Sequence, residues 1–414
     1  MNTELKTILG LGLVLTAAAP AGSAQSTKEN QSATGGTTRI ESPALTGRYS
    51  VGRRLETWID ISRKDPTDST RSREVPVSIW YPALHSAAPS HEEQLPAEWE
   101  RERIELLSAR LGDMARAMSE FRVNAQTGAG LLPGKSTFPV LLFTPGLGWL
   151  ASDYSVLIED LVSHGYVVVG LSPVGFADVV RFPDGREVRR TLGMGEKIGT
   201  DQSIVHDDAM FALREIRNMN SDTKSFLHNR LDLTRIGTFG HSLGGTTSLV
   251  VAARDTSVRA AINIDGDPMG EVVNVRPTQP LLLISSETPD ASDAPDVPSP
   301  EVRELIRKGL ERSELRRTND WLGIASSSSS AYRVRVMGTR HLNFTDAALA
   351  SERLETPKAR WMKVGPIAGE RGLEIELELV RSFFDHTLGE SHGGEWTPTE
   401  RSYPEVRLEA KSFK

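Results

Sequence analysis

From Val140 to Met337 the sequence alternates short, nearly apolar runs with longer stretches of helical periodicity, and this alternation constrains the fold more than any other feature. The runs are Val140–Thr144, Val167–Leu171, Arg235–Phe239, Ala260–Ile264, Leu281–Ser285 and Tyr332–Met337; helical patterns lie between most of them, at Tyr154–Ser163, Ile204–Arg217, Gly244–Ala253 and Val302–Leu315. A strand that is apolar on both faces must be covered on both, and strands alternating with helices provide that cover. Upstream, Arg54–Ile61 and Val75–Tyr81 alternate with period two and predict an antiparallel pair opening the sheet. The expectation is a doubly wound α/β domain: a mostly parallel central sheet, helices on both faces and an N-terminal antiparallel pair. A last amphipathic helix over Leu373–Leu388 ends at Gly389, a residue suited to a left-handed C′ position.

A chain of 414 residues can form one large domain with insertions or two smaller ones, and the order of its motifs favours one, over residues 44–414. Residues 1–24 read as a signal peptide: Lys6 precedes the apolar stretch Ile8–Ala19, followed by small residues at Ala21–Ala24. This places the mature protein in a periplasm or outside the cell. Residues 25–43 are rich in Ser, Thr, Gly and Gln and read as a flexible tether. An amphipathic helix is expected from Pro96 to Phe121, as an insertion; it reads either as a lid or lipid-facing helix or, preferred, as a helix packed on the core. A second insertion spans about 288–330, where Pro289–Pro300 and Ser326–Ser330 read as surface loops around a helix. The net charge of −7, with mixed signs and no basic stripe, argues against a nucleic-acid partner. The absence of cysteine excludes disulfides, thiolate metal sites and a cysteine nucleophile.

The segment Gly240-His241-Ser242-Leu243-Gly244-Gly245 follows a predicted strand and opens a predicted helix. A nucleophile raised at such a turn has a strained backbone, and side chains two positions either side of it would collide with neighbouring structure. Ser242 is therefore the candidate nucleophile, and His241, beside it on the elbow, is read as structural. An oxyanion needs two backbone N–H donors: Leu243 supplies one, and the loop Phe143-Thr144-Pro145-Gly146-Leu147-Gly148-Trp149 supplies the other, with Leu147 as donor. His341 follows the last predicted parallel strand, where a loop can reach Ser242; His386 near a helix end and His392 in a Gly-rich tail are poorer bases. Two acids remain open, Asp265 and Glu287, each directly after a predicted strand, with Asp267 and Asp290 as outsiders. His206-Asp207-Asp208 lacks metal-ligand spacing and reads as a solvated helix face. No metal or organic cofactor is expected.

Taken in order, Trp80-Tyr81-Pro82, Phe143-Thr144-Pro145-Gly146-Leu147-Gly148, Ser163-His164-Gly165-Tyr166, the Gly240–Gly245 elbow, Ile264-Asp265, Ile284-Ser285-Ser286-Glu287 and Gly338-Thr339-Arg340-His341-Leu342-Asn343-Phe344 resemble the platelet-activating factor acetylhydrolases, of the plasma and intracellular monomeric type with its bacterial relatives. The resemblance covers roughly Glu74 to Leu388. It implies the α/β-hydrolase fold, Asp265 rather than Glu287 as the acid, and hydrolysis of short-acyl phospholipid esters by a monomer that takes a small-molecule or lipid ester. Two departures bear on the substrate: Pro145 stands where members often carry histidine, and the chain between Glu287 and His341 is long and polar. The rivals are a broad carboxylesterase, lipase or polyester hydrolase, and a catalytically silent α/β-hydrolase used as a binding module. The usual mark of the last, a missing triad residue, is not found here.

Overall fold

The computed structural model describes residues 40–84, 92–93, 105–106, 115, 118, 121–182, 184–193, 198–293, 299–353, 363–389, 395–398 and 403–413. The leader, almost all of the tether and nearly all of the helix expected at 96–121 lie outside the described residues; of that helix, Ala115 and Met118 are helical and buried.

The strands in chain order are β1 (Ser50–Lys64), β2 (Ser72–Ala83), β3 (Glu92–Glu93), β4 (Arg122–Val123), β5 (Gln126–Thr127), β6 (Phe138–Thr144), β7 (Val167–Leu171), β8 (Val179–Arg181), β9 (Glu187–Arg189), β10 (Leu231–His241), β11 (Val258–Ile264), β12 (Leu281–Ser286), β13 (Ser330–Val336) and β14 (Val406–Phe413). Five helices matter for the site: α1 (Ser155–Ser163), α2 (Ile198–Ser221), α3 (Leu243–Arg254), α4 (Pro300–Ala325) and α5 (Gly369–Leu388). Ten strands form one sheet in the order β14-β13-β12-β11-β10-β6-β7-β2-β1-β5. The run from β13 to β7 is parallel throughout, while β14 and the β2–β1 pair join antiparallel at its two sides. This is the mostly parallel sheet with an N-terminal antiparallel pair that the sequence pattern predicts.

The near-continuous hydrophobicity of the central strands follows from period-two side-chain alternation between two buried faces. In β11, Ala260, Ile262 and Ile264 enter a core with α1 and α5, while Val258 and Ala261 enter the opposite core with α2, α3 and the end of α4. In β12, Leu282 and Ile284 face the first core and Leu281 and Leu283 the second. Among the described residues no helix is long and apolar enough to cross a membrane.

Several elements depart from expectation. α4 begins as predicted, with Ser299 capping the Val302 N–H and Pro300 in the first turn, but it continues ten residues past Leu315 to Ala325. Its polar sequence conceals the continuation, and Trp321, Ile324 and Ala325 anchor that end in the core. The run at Ser326–Ser330 is not wholly a surface loop: Ser328 is buried and its hydroxyl donates to the Gln279 carbonyl at 2.6 Å. β14 was unforeseen because its Ala, Glu and Lys content is weak for a strand; Glu409 ties it to Arg333 and Arg335 of β13. Gly389 closes α5 with φ −65° and ψ 166°, an extended rather than left-handed cap.

The expected solvated face at His206-Asp207-Asp208 is also corrected. Asp207 is half exposed and pairs with Arg254. His206 and Asp208 are buried; His206 meets Glu271 at 3.2 Å and Asp208 grips Arg73 at 2.6 Å. The packing of α2 against the sheet turns these positions inward, a choice local periodicity does not reveal.

Candidate active site

β10 ends in His241, α3 begins at Leu243, and Ser242 occupies the turn between them with φ 56° and ψ −120°. This is a left-handed, strained position for a residue with a side chain. A Cβ on Gly240 would lie 2.4 Å from the Thr144 carbonyl oxygen, and one on Gly244 1.8 Å from the same atom. The glycines flanking Ser242 are thus dictated by the close passage of β6 beneath the elbow. The Ser242 N–H donates to the Ile264 carbonyl at 2.8 Å, which brings the end of β11 under the turn.

Asp265 follows β11 with φ 51°, and its own N–H donates to the Ile284 carbonyl of β12 at 2.7 Å. His341 opens a short 3-10 turn, His341–Phe344, after β13. That turn is held by buried Asn343, whose Oδ1 accepts the N–H groups of Arg340 and Gly365, each at 2.7 Å. His341 Nε2 lies 3.0 Å from Ser242 Oγ and its Nδ1 2.7 Å from Asp265 Oδ2. Asp265 also accepts the Ser286 N–H at 2.8 Å on Oδ1 and the Ser286 hydroxyl at 3.0 Å on Oδ2. Burial alone would raise the Asp265 carboxyl. The hydrogen bond and charge of His341 and the Ser286 N–H outweigh it and hold the group below the ordinary carboxylate range. An ionised Asp265 can only accept, so Nδ1 of His341 carries the proton and, in the neutral ring, Nε2 is left to accept from the Ser242 hydroxyl.

The other acid candidates are not brought to His341. Glu287 Oε2 accepts the Gly338 N–H at 2.9 Å and faces Arg340 at 3.3 Å. Asp267 faces Arg317 at 3.4 Å, and Asp290 accepts the Ser292 N–H at 2.8 Å.

The loop after β6 passes beside the elbow. Its Gly146 N–H reaches the Tyr154 hydroxyl at 3.2 Å, Gly148 N–H the Phe176 carbonyl at 2.9 Å, and Trp149 N–H the Gly146 carbonyl at 3.1 Å, while the Leu147 N–H has no acceptor among the described residues. Gly148 takes φ 88°, the left-handed conformation that lets the loop reverse here. The Leu243 N–H, in the first turn of α3, has no intrahelical acceptor. The side chains of Leu147 and Leu243 share an apolar cluster with Phe176, Leu192, Ile204 and Val205.

His241 is buried with its two ring nitrogens engaged, by Tyr154 and by the backbone of His341. His241, Asp265 and His341 present ligand atoms within 4.8 Å of one another, and all of these are occupied by the hydrogen bonds just described. Ser286 and Asn343 stand in the motifs quoted above but without a role, and Tyr154 in none; the contacts that give them one, to Asp265, Gly365 and His241, span 21, 22 and 87 positions.

Comparison with known proteins places the chain beside ester hydrolases. The family model described as platelet-activating factor acetylhydrolase, isoform II, matches residues 34–172, and the one described as PET hydrolase-like matches residues 195–319. The probable 1-alkyl-2-acetylglycerophosphocholine esterase of Arthroderma benhamiae is 26% identical over 391 residues, 88% of this chain and 92% of that protein. The platelet-activating factor acetylhydrolase of Cavia porcellus is 27% identical over 207 residues, 44% of this chain and 47% of that protein. The solved structure of a ferulic acid esterase from Streptomyces cinnamoneus matches with a TM-score of 0.66 and 26% identity, covering 90% of this chain and 99% of that one. The chain is a serine ester hydrolase of the α/β-hydrolase fold, similar in sequence to the platelet-activating factor acetylhydrolases.

Proposed function

We propose that Ser242 is the nucleophile, His341 its general base, Asp265 the acid that orients the base, and the backbone N–H groups of Leu147 and Leu243 the oxyanion donors. The observation that carries this reading is the continuous contact from Ser242 Oγ through His341 to Asp265, at 3.0 and 2.7 Å. As Ser242 Oγ bonds to the ester carbonyl carbon, its proton passes to His341 Nε2 and the carbonyl electrons move to oxygen, facing the two N–H groups. Collapse expels the alcohol, which takes the proton from His341, and leaves the acyl group on Ser242. Water, deprotonated by His341, then adds to the acyl carbon, and collapse breaks the bond to Ser242 Oγ, which takes the proton back from His341 as the acid leaves. Asp265 keeps its negative charge beside the imidazolium throughout.

The substrate proposed is a short-acyl phospholipid ester or a related small ester, taken by a monomer in solution or at a lipid surface. Support comes from the names of the relatives and from the acetylhydrolase model at 34–172. A broader carboxylesterase or polyester hydrolase is the second reading, favoured by the PET hydrolase-like match at 195–319 and the ferulic acid esterase. The chain is further proposed to be secreted or periplasmic, from the Lys6 and Ile8–Ala19 leader pattern. The test is hydrolysis of p-nitrophenyl esters from acetate to palmitate by wild type and Ser242→Ala, with platelet-activating factor and an insoluble polyester in parallel. Cleavage of short esters and the lipid, with a silent variant, is expected. Polyester cleavage without lipid cleavage moves the assignment to the second reading, and inactivity on every ester would leave a binding module.

A further inference from the structure

Tyr154 and His241 have no part in the proton transfers above, yet they connect the two sides of the site. The His241 ring lies 4.4 Å, centroid to centroid, from that of His341. Its Nε2 is 3.0 Å from the His341 backbone carbonyl oxygen and its Nδ1 2.8 Å from the Tyr154 hydroxyl. The same hydroxyl lies 3.2 Å from the backbone nitrogen of Gly146, the residue before Leu147.

The directions of these bonds follow from elementary donor and acceptor counting. A carbonyl only accepts, so Nε2 of His241 carries a proton. The neutral ring then has a bare Nδ1, which accepts the Tyr154 O–H, and the tyrosine oxygen accepts the Gly146 N–H. One tautomer satisfies every member, in the order Gly146 N–H, Tyr154 O–H, His241 ring, His341 carbonyl. Burial, then the neighbouring His341, hold His241 well below the ordinary imidazole range, and burial lifts the Tyr154 hydroxyl well above its own. Both groups therefore stay neutral, as the chain of bonds requires. A fully satisfied buried network is rigid, whereas loss of one member strands a buried polar group.

We infer that Tyr154 and His241 are positioning residues that tie the oxyanion loop at Gly146 and Leu147 to the backbone of the base His341. Donor and base then keep one mutual geometry as charge develops on the substrate. This inference rests on the roles proposed for Ser242, His341 and Leu147.

Tyr154→Phe removes one oxygen and keeps the ring packed at 4.8 Å from Phe143; His241→Phe keeps an aromatic ring beneath the base. In each variant kcat for p-nitrophenyl acetate should fall about tenfold, less than the 10²–10³ lost when an oxyanion donor is removed outright, with KM changed by less than about twofold. Affinity for a trifluoromethyl ketone should fall by the same factor, because its adduct with Ser242 places an oxyanion on the same donors. A purely structural role would lower the melting temperature without this matched loss. Wild-type kcat and ketone affinity in folded Tyr154→Phe would overturn the inference. Nitrogen NMR of the wild-type imidazoles at pH 7 provides a test that needs no variant: His241 should be the neutral Nε2–H tautomer, and a charged ring or the Nδ1–H form would overturn it. Ser242→Ala separates the two levels. If it remains active, the triad reading fails and this one with it; if it is silent while Tyr154→Phe behaves as wild type, only the positioning role is lost.

Discussion

Glu159 on α1 provides a stability prediction with a definite sign. The side chain is fully buried, its Oε2 accepting the Asn124 N–H at 2.8 Å. Burial raises its carboxyl from the ordinary 4.5 to about 7; the Arg53 charge and the N–H groups of Asn124 and Ala125 offset only part of the desolvation. Between these values the unfolded chain releases the proton and the folded chain retains it. Stability from this group is therefore fully present below pH 4.5 and is lost as the pH rises through 7. The difference of 2.5 between the two values corresponds to about 3 kcal/mol at about 1.4 kcal/mol for each pH unit. Glu159→Gln keeps the shape and an acceptor for Asn124 but cannot titrate. Urea unfolding followed by circular dichroism at pH 5 and pH 8 should show the variant gaining about 2 to 3 kcal/mol on wild type over that interval, since part of the loss has already occurred by pH 5. Parallel pH dependence in the two proteins would mean that Glu159 is ionised in the fold and would refute the argument.

Three further outcomes are expected. Asp265→Asn should lower kcat by about 10⁴ through the wrong His341 tautomer, whereas Glu287→Gln, which does not touch that ring, should change it by less than about tenfold; steady-state kinetics on one ester decides between the two acids. Arg73→Met should cost about 3 to 5 kcal/mol in urea unfolding, because Arg73 is buried against Asp208 at 2.6 Å and Asp65 at 2.9 Å; a loss under about 1 kcal/mol would show that the pair is easily replaced. Gly244→Ala should prevent folding or separate β6 from the elbow, since the added carbon would lie 1.8 Å from the Thr144 oxygen; a soluble variant with wild-type kcat would contradict the packing described.

The fold class was legible because its cause is local. Apolar runs such as Val167–Leu171 can be buried only in a sheet covered on both faces, and the six parallel strands stand where those runs lie. The elbow was equally legible, since the need for glycine on both sides of Ser242 is imposed within five residues. What escaped depended on partners distant in sequence. Nothing around Glu287 or Asp265 distinguishes the two acids; a family resemblance favoured Asp265, and the tertiary structure separates them by turning Glu287 onto Gly338 and Arg340. His206 and Asp208 looked like a solvated face because the burial of one helical stripe depends on what packs over it. The length of α4 and the existence of β14 were likewise decided by tertiary anchors, Trp321 in the core and Glu409 on Arg333 and Arg335. The sequence by itself thus determined the class of fold and narrowed the candidates for chemistry to Ser242, His341 and the acids Asp265 and Glu287. The tertiary structure decided which of them meet, because hydrogen bonds act over about 3 Å and the chain brings those distances about only by folding.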